Sequence, residues 1–360
     1  MTVTINDPLT IDSLTIPNRI VMPPLVIWKA DESGQVTSDH LAHYERSAGP
    51  GLVIVEATAV SPEGRLARTQ LGLWSDEQVA GMQNLVEIIH RSGAVAAIQL
   101  HHAGEKASLE KTYGLAPLVP SLRDGSPEGA REVTEADIEA ILEAFAAAAE
   151  RAQRAGFDLV ELHGAHGYLI SQFLSPEKNQ RTDRWGGSLE NRLRFLVEAL
   201  RRVRAKVPTM PVTVRLGLAA DAGTSLPLEE GLAAGRAAVD EGCRLLDISN
   251  AGGSVSATDP DSFFTPTMQL AAVAKRELGV PVIGVNGVKL PEQAQAVLDT
   301  RTADLVAVGR GILADPGWAA KALADDPNEI EYCVDCKPRC FHFTQPEKCP
   351  ARHRLAARGE

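Results

Sequence analysis

The sequence predicts an α/β fold: a (β/α)8 TIM barrel followed by a cysteine-rich, metal-binding C-terminal extension. Three observations predict it. Apolar, β-rich runs recur eight times, a helix-like segment follows each run, and four cysteines lie within the last thirty residues. The runs are continuously apolar rather than alternating, which is typical of parallel strands covered on both faces. Eight such strand-helix units indicate a barrel.

The eight predicted strands share this apolar character. They are residues 19–25, 52–58, 94–100, 158–163, 211–217, 245–250, 280–286 and 303–309. A doubly wound sheet is the alternative fold. No glycine-rich dinucleotide fingerprint follows the first strand, however, so the barrel is preferred.

Capping residues and apolar periodicity place the helices between the strands. Thr134 opens a capping box for a helix that runs to about Ala155 and stops at Gly156. Further helices are predicted at residues 76–92, 188–206, 228–241, 267–278 and 291–299. Two long loops, at 101–133 and 174–187, should lie at the C-terminal face of the barrel, where loops carry function. We expect the barrel to fill residues 1–322 and the extension to fill 323–360.

Composition and charge indicate a folded protein that binds neither nucleic acid nor an anionic membrane. The chain has 360 residues, of which 44% are hydrophobic and 23% are charged, so it can bury a large core. A formal charge of -11 argues against nucleic acid or an anionic membrane as partner. No apolar run approaches the length of a membrane span, and the first residues lack the basic region of a signal peptide. We therefore expect a cytoplasmic protein.

The fourth strand ends in a group of proton-carrying side chains. His163, His166 and Tyr168 lie within six residues, and Gly164 and Gly167 allow sharp backbone turns between them. Two imidazoles can donate to one oxygen, and a nearby phenol can deliver a proton. Each residue alone could be a packing residue at a strand end, but the three together favour a catalytic site.

The other strand ends add a candidate ligand site. Arg215 lies in an apolar strand and needs a buried anion or acceptor. Glycine-bearing turns after strands seven and eight, at Gly287 and at Gly309-Arg310, are where barrels bind phosphate. The remaining strand-end residues are Pro23, Pro24, Leu25, Val26 and Trp28 from the first strand, Ala57 from the second and Gln99 from the third. Together these residues indicate a phosphate-bearing cofactor whose ring lies across the barrel mouth, held by Gln99 and Arg215.

The chain resembles the Old Yellow Enzyme-like NADH:flavin oxidoreductases over roughly residues 5–322. The most specific matching segments are His-x-x-His-Gly-Tyr at 163–168 and Arg-Thr-Asp-x-x-Gly-Gly-Ser at 181–188. Residues 17–25, 55–58, 98–104 and 304–310 continue the match in the same order. Lys106 matches a basic residue found in part of the family. Two positions depart from it: Val26 replaces a Cys or Thr, and Trp28 replaces a Tyr.

The resemblance implies an FMN-dependent ene-reductase that reduces the activated C=C bonds of enones with NAD(P)H. It places FMN against Pro23, Pro24, Leu25, Val26, Ala57, Gln99 and Arg215, with the phosphate at Gly287, Gly309 and Arg310. His163 and His166 would bind the carbonyl oxygen of the substrate, and Tyr168 would be the proton donor. Trp28 would form an apolar wall of the substrate site.

The cysteine tail reads Cys333-x2-Cys336-x3-Cys340-x8-Cys349, and four thiolates at such spacings can bind one metal ion or one iron–sulfur cluster. It resembles the tails of 2,4-dienoyl-CoA reductase and trimethylamine dehydrogenase, which implies a 4Fe-4S cluster. The last gap is shorter here, so structural zinc stays open. Those relatives carry a further dinucleotide-binding part, so we expect a separate protein to exchange electrons with such a cluster. Cys243 is expected to be a core thiol.

Two other functions stay open. The tail also suggests an amine or N-methyl dehydrogenase of the trimethylamine dehydrogenase type, although two imidazoles that donate to oxygen suit a cationic substrate poorly. A flavin-binding electron-transfer module is the second alternative. Relatives often form dimers or tetramers, so the resemblance implies a homo-oligomer.

Overall fold

The computed structural model describes residues 3–220, 226–337, 340 and 348–359. Its centre is a closed parallel barrel of eight strands, in which chain neighbours pair and the last strand pairs with the first. The strands are β1 (Ile20–Met22), β2 (Leu52–Ala59), β3 (Val95–His101), β4 (Leu159–Gly164), β5 (Val212–Gly217), β6 (Leu246–Ser249), β7 (Val282–Val285) and β8 (Leu305–Ala307). Each overlaps a predicted strand, so the barrel prediction is confirmed.

Helices surround this barrel. They are α1 (Ser38–Arg46), α2 (Val79–Arg91), α3 (Glu135–Ala155), α4 (Leu169–Leu174), α5 (Leu189–Lys206), α6 (Leu228–Asp240), α7 (Pro266–Leu278), α8 (Pro291–Asp299), α9 (Arg310–Ala314), α10 (Trp318–Leu323) and α11 (Pro350–Arg358). The capping box of α3 forms as predicted: the Thr134 side chain accepts from the Asp137 N–H. The sequence reasoning missed α1, α4, α9, α10 and α11, which are short and lack a long apolar repeat.

A small hairpin closes the N-terminal end of the barrel. Its strands, Leu9–Ile11 and Leu14–Ile16, pair antiparallel. Ile11 and Ile16 belong to an apolar cluster with the first residues of several barrel strands. Burial of these side chains keeps water out of that end. The barrel is therefore accessible to ligands from its C-terminal end.

Register aligns polar residues near that C-terminal end. His163 of β4 lies opposite Arg215 of β5, which in turn lies opposite Asp247 of β6. One pleat lower, Gln99 of β3 lies opposite Glu161 of β4. Because side chains alternate along a strand, Glu161 and His163 point to the same side of the sheet. Parallel pairing thus brings together residues that are far apart in the sequence.

Two short additions complete the described chain. The loop at 101–133 contains a two-stranded ladder between Leu118–Val119 and Arg131–Glu132. In the extension, the Arg352 Nε of α11 donates to the Leu313 carbonyl oxygen at 2.8 Å, which fastens α11 to the barrel. None of the helices in the described ranges has both the length and the apolar character needed to span a bilayer.

Candidate functional site

A cavity of about 440 Å³ opens at the C-terminal end of the barrel. Seven of the residues predicted from the sequence line it: Pro23, Leu25, His166, Arg215, Gly287, Gly309 and Arg310. Asn286 and Gly287 turn the backbone with positive φ values of 91° and 88°. Gly309 lies close to β1, since an added Cβ would come within 3.4 Å of the Pro23 side chain. The cavity has the size of a small-molecule or cofactor site.

His163 and His166 form a hydrogen-bonded chain at one side of this cavity. The Ala165 N–H donates to His163 Nδ1 at 3.3 Å, so the proton of His163 lies on Nε2. His163 Nε2 lies 3.3 Å from His166 Nδ1, and His166 Nε2 lies 2.7 Å from the Ser249 hydroxyl oxygen. Burial lowers the pKa of both imidazoles well below its usual value. Both rings are therefore neutral at pH 7, and each offers one N–H donor.

Tyr168 stands beside this pair. Its ring makes edge contacts with His163, at 4.8 Å between centroids, and with His101, at 4.4 Å. Lys106 Nζ lies 5.0 Å from the Tyr168 ring centroid and donates to the His166 carbonyl oxygen at 2.5 Å. Burial raises the pKa of Tyr168, so the phenol keeps its proton at neutral pH. The structure thus brings the three predicted catalytic residues together.

A buried charge cluster lies in the same part of the barrel. Arg215 Nε lies 3.3 Å from Asp247 Oδ2, in an ion pair that lacks hydrogen-bond geometry. The Gln99 amide nitrogen donates to Glu161 Oε1 at 2.7 Å, whereas Glu161 Oε2 has no hydrogen-bond partner in the described part of the chain. Burial raises the pKa of Glu161 and of Asp247, while Arg215 opposes the rise. The guanidinium is therefore the charge that keeps this cluster balanced.

Pro24, Val26, Trp28 and Ala57, which were also predicted, are not among the residues that line the cavity. Pro24, Val26 and Trp28 are half-buried in the loop after β1, and Trp28 has a positive φ of 56°. Ala57 is buried, and its carbonyl oxygen accepts from the Gln70 amide at 2.7 Å.

Sequence reasoning missed four polar residues in this region: His101, Glu161, Asp247 and Ser249. His101, Glu161 and Asp247 are fully buried, and Ser249 is nearly so. The available signal was a charged or polar residue inside an apolar strand, as in Leu-Asp-Ile-Ser at 246–249. Such a residue needs a buried partner.

The four tail cysteines surround a separate small cavity of about 20 Å³. Arg310 lines both cavities. Its Nη1 donates at 2.7 Å to Oδ1 of Asp335, a residue that lies between Cys333 and Cys336 in the sequence. Lys289 also pairs with Asp335. Within residues 3–220, 226–337, 340 and 348–359, no group of three or more His, Cys, Asp or Glu side chains is placed to hold a metal ion. The metal site therefore stays a prediction.

Cys243 is buried, and burial raises the pKa of its thiol to about 12.

Residues 4–329 match the model of the NADH:flavin oxidoreductase / NADH oxidase family. The chain belongs to this family. The Old Yellow Enzyme-like resemblance is thereby confirmed, and the protein is an FMN-dependent NAD(P)H oxidoreductase.

Relatives in this family align with about nine tenths of this chain. The chain is 40% identical over 320 residues to an NADPH dehydrogenase of Halalkalibacterium halodurans, which covers 88% of this chain and 92% of that protein. It is 39% identical over 341 residues to an NADH oxidase of Thermoanaerobacter brockii, which covers 92% of this chain. The chain spans only 52% of that oxidase. An Old Yellow Enzyme homologue from Zymomonas mobilis has a similar structure, with a TM-score of 0.80, 29% identity and coverage of 92% and 95% of the two chains.

The residues at the barrel mouth fit the FMN that the family binds. Arg215 Nε has no hydrogen-bond acceptor in the described chain, although its side chain is almost completely buried, so it suits a polar ring edge. Arg310 and the left-handed turn at Asn286-Gly287 suit a phosphate group at the other end of the same cavity. Size, polarity and charge of the cavity therefore agree with this cofactor.

Replacing Arg215 by Met should destabilise the FMN-free protein, because it leaves Asp247 and Glu161 buried without their cation. We expect the free energy of unfolding at pH 8 to fall by about 3–5 kcal/mol. The deficit should shrink as the pH falls to 5. Without the cation the carboxyl pKa values in the folded state rise further, and a raised acid pKa favours the folded state most below the unfolded-state value.

Urea unfolding of wild type and Arg215→Met at both pH values measures this deficit. Adding Asp247→Asn should recover part of it, because that change removes one unpaired charge. Arg276→Met is the matched control, since Arg276 pairs with Glu277 on the exposed surface. An Arg215→Met protein as stable as the wild type at pH 8 would show that the carboxyls do not depend on Arg215.

Proposed function

We propose that the protein is an ene-reductase that reduces the activated C=C bond of α,β-unsaturated carbonyl compounds, driven by NAD(P)H or by a protein electron donor. The observation that carries this proposal is the cluster of two neutral imidazoles and a protonated phenol beside the cavity at the barrel mouth. When bound, FMN supplies the hydride, from N5 of its reduced ring to the β-carbon of the alkene.

His163 and His166 are proposed to bind the carbonyl oxygen. Each ring has one N–H, which now donates to His166 Nδ1 and to Ser249 respectively. A carbonyl oxygen can replace these acceptors, and the donors hold it more strongly as negative charge develops during reduction. Neutral rings suit this role because they donate a hydrogen bond without carrying a charge into the site.

Tyr168 is proposed to deliver the proton to the α-carbon. Burial raises its pKa, so it is protonated and ready at neutral pH. The Lys106 ammonium lies over its ring and can stabilise the phenolate that remains after transfer. One hydride at the β-carbon and one proton at the α-carbon balance the saturation of the double bond.

Arg215 and Gln99 are proposed to hold the pyrimidine side of FMN. Pro23, Pro24, Leu25, Val26 and Ala57 would contact its ring, and Gly287, Gly309 and Arg310 would hold its phosphate. Trp28 would border the substrate. Val26 offers no hydrogen bond beside the ring, unlike the Cys or Thr of relatives, so this protein's flavin potential should differ from theirs.

The alternatives are less well supported. A cationic amine would enter a site that carries Arg215 and Lys106 and two N–H donors, which repel or fail to bind a cation. The electron-transfer module is distinguished by turnover, since it predicts bound FMN without reduction of any small enone.

Tyr168→Phe should slow the reduction of 2-cyclohexenone by roughly 100-fold or more, the scale of a lost general acid. NAD(P)H oxidation should continue at the wild-type rate, because that half-reaction needs no proton from Tyr168. Rapid-mixing absorption spectroscopy measures the two half-reactions separately. Tyr113→Phe, on the exposed loop after β3, is the control. Unchanged alkene reduction in Tyr168→Phe would remove Tyr168 as the donor.

We propose that Cys333, Cys336, Cys340 and Cys349 bind a 4Fe-4S cluster, with structural zinc as the alternative. The support is their spacing and their common position around one cavity that borders Arg310. In this proposal residues 323–360 form a separate redox extension and a second protein exchanges electrons with it. We place the protein in the cytoplasm, where clustered cysteines bind metal more often than they form disulfides.

Iron, sulfide and zinc should be assayed on protein purified without oxygen. We expect about four iron and four sulfide per chain, or else one zinc. Cys336→Ser should lose the bound metal, whereas Cys243→Ala should keep it because Cys243 lies in the core. Protein that holds neither metal in stoichiometric amount would contradict both forms of the proposal.

A further inference from the structure

A second set of buried polar side chains lies between α1, the middle of β2 and the loop after β1. It consists of His40, Tyr44 and Glu56. His40 and Glu56 are fully buried, and Tyr44 is 3% exposed. None of them lines the cavity at the barrel mouth, and the proposed chemistry does not use them. Glu56 nevertheless directly precedes Ala57, which is proposed to contact FMN.

Hydrogen bonds fix the orientation of His40. The Thr37 N–H donates to His40 Nδ1 at 3.2 Å, so the ring proton lies on Nε2. His40 Nε2 points at Glu56 Oε1, 3.6 Å away. Burial lowers the pKa of His40 to about 4 and raises that of Glu56 to about 8. Both side chains are therefore mainly uncharged at pH 7.

Glu56 is held from two further directions. Its own backbone N–H donates to the Tyr44 hydroxyl oxygen at 2.9 Å. Its other carboxyl oxygen, Oε2, accepts from the Ile27 N–H at 3.1 Å. Glu56 thus links α1, through its backbone N–H, to the loop that follows β1, through its carboxyl group.

That loop contains a strained residue. Trp28 has a φ of 56°, a left-handed conformation that a bulky side chain rarely adopts. Both neighbours of Trp28 are held by hydrogen bonds to residues distant in sequence. On one side the Ile27 N–H donates to Glu56, and on the other the Lys29 carbonyl oxygen accepts from the Thr37 hydroxyl at 2.8 Å. Strain of this kind persists only where the surroundings hold it.

We propose that Glu56, supported by His40, is a positioning residue that holds the backbone of Trp28 in its left-handed conformation and thereby sets how the enone is bound. This inference rests on the proposed function, because it takes Trp28 as a wall of the substrate site. Glu56 acts on the substrate through Trp28, not by touching it. Its loss should therefore raise KM for the enone and leave FMN binding and proton delivery in place.

The decisive comparison is between Glu56→Ala and Glu56→Gln. Alanine removes the acceptor for the Ile27 N–H, whereas the glutamine amide oxygen can replace it and is uncharged like the native carboxyl group at pH 7. We expect Glu56→Ala to raise KM for 2-cyclohexenone roughly tenfold, the scale of one lost buried hydrogen bond, with kcat changed less than twofold. Glu56→Gln should return KM to within about twofold of the wild type.

Tryptophan fluorescence provides a readout that does not need turnover. The emission of Trp28 is obtained by subtracting the spectrum of Trp28→Phe from that of the same protein with Trp28 intact. This difference spectrum should shift in Glu56→Ala and match the wild type in Glu56→Gln. Thr37→Val removes the other anchor and should shift it in the same direction, which keeps the proposal testable if Glu56→Ala fails to fold.

The FMN dissociation constant, measured by the fluorescence of released FMN, separates positioning from general damage. It should change less than twofold in folded Glu56→Ala. An unchanged Trp28 spectrum in both Glu56→Ala and Thr37→Val would overturn the proposal, as would an equal loss of FMN affinity and enone affinity. If the wild type fails to reduce enones, the proposed function is wrong, yet the fluorescence comparison still decides whether Glu56 holds Trp28.

Discussion

The guanidinium of Arg215 inside the closed barrel is the constraint on which the rest of the site depends. A charge placed among apolar strands must be balanced nearby, and Asp247 pairs with it at 3.3 Å. At the opposite end the hairpin buries Ile11 and Ile16 against the first residues of the barrel strands. Strand register puts His163 at the same level as this charge. The histidines proposed to bind the carbonyl oxygen therefore lie next to the buried charge of the barrel.

Much of the fold followed from the sequence because parallel barrel strands are buried on both faces and so read as unbroken apolar runs. The long helices followed from caps such as Thr134 and stops such as Gly156. Helix α1 was not predicted, because its buried residues are His40 and Tyr44 rather than aliphatic residues. A local pattern cannot show that a histidine is buried against a glutamate sixteen positions away.

Likewise, some residues of the candidate site could be predicted from the sequence and others could not. His163, His166 and Tyr168 were found because they lie within six residues of one another. Ser249 was not predicted, because it is 83 positions from His166 and only the folded barrel brings the two together. Glu56 and Glu161 were counted as parts of strands, and nothing in the sequence names their partners. The cysteine spacing was visible, but spacing alone does not give the geometry of four thiols.

The position of Arg310 has a consequence for both the barrel and the tail. It borders the cavity at the barrel mouth and the cavity among the tail cysteines, and Asp335 from the tail binds it. A substitution in the tail that removes Asp335 would therefore change the charge that Arg310 presents to the barrel cavity. Barrel and tail are thus electrostatically coupled through the ion pair between Arg310 and Asp335.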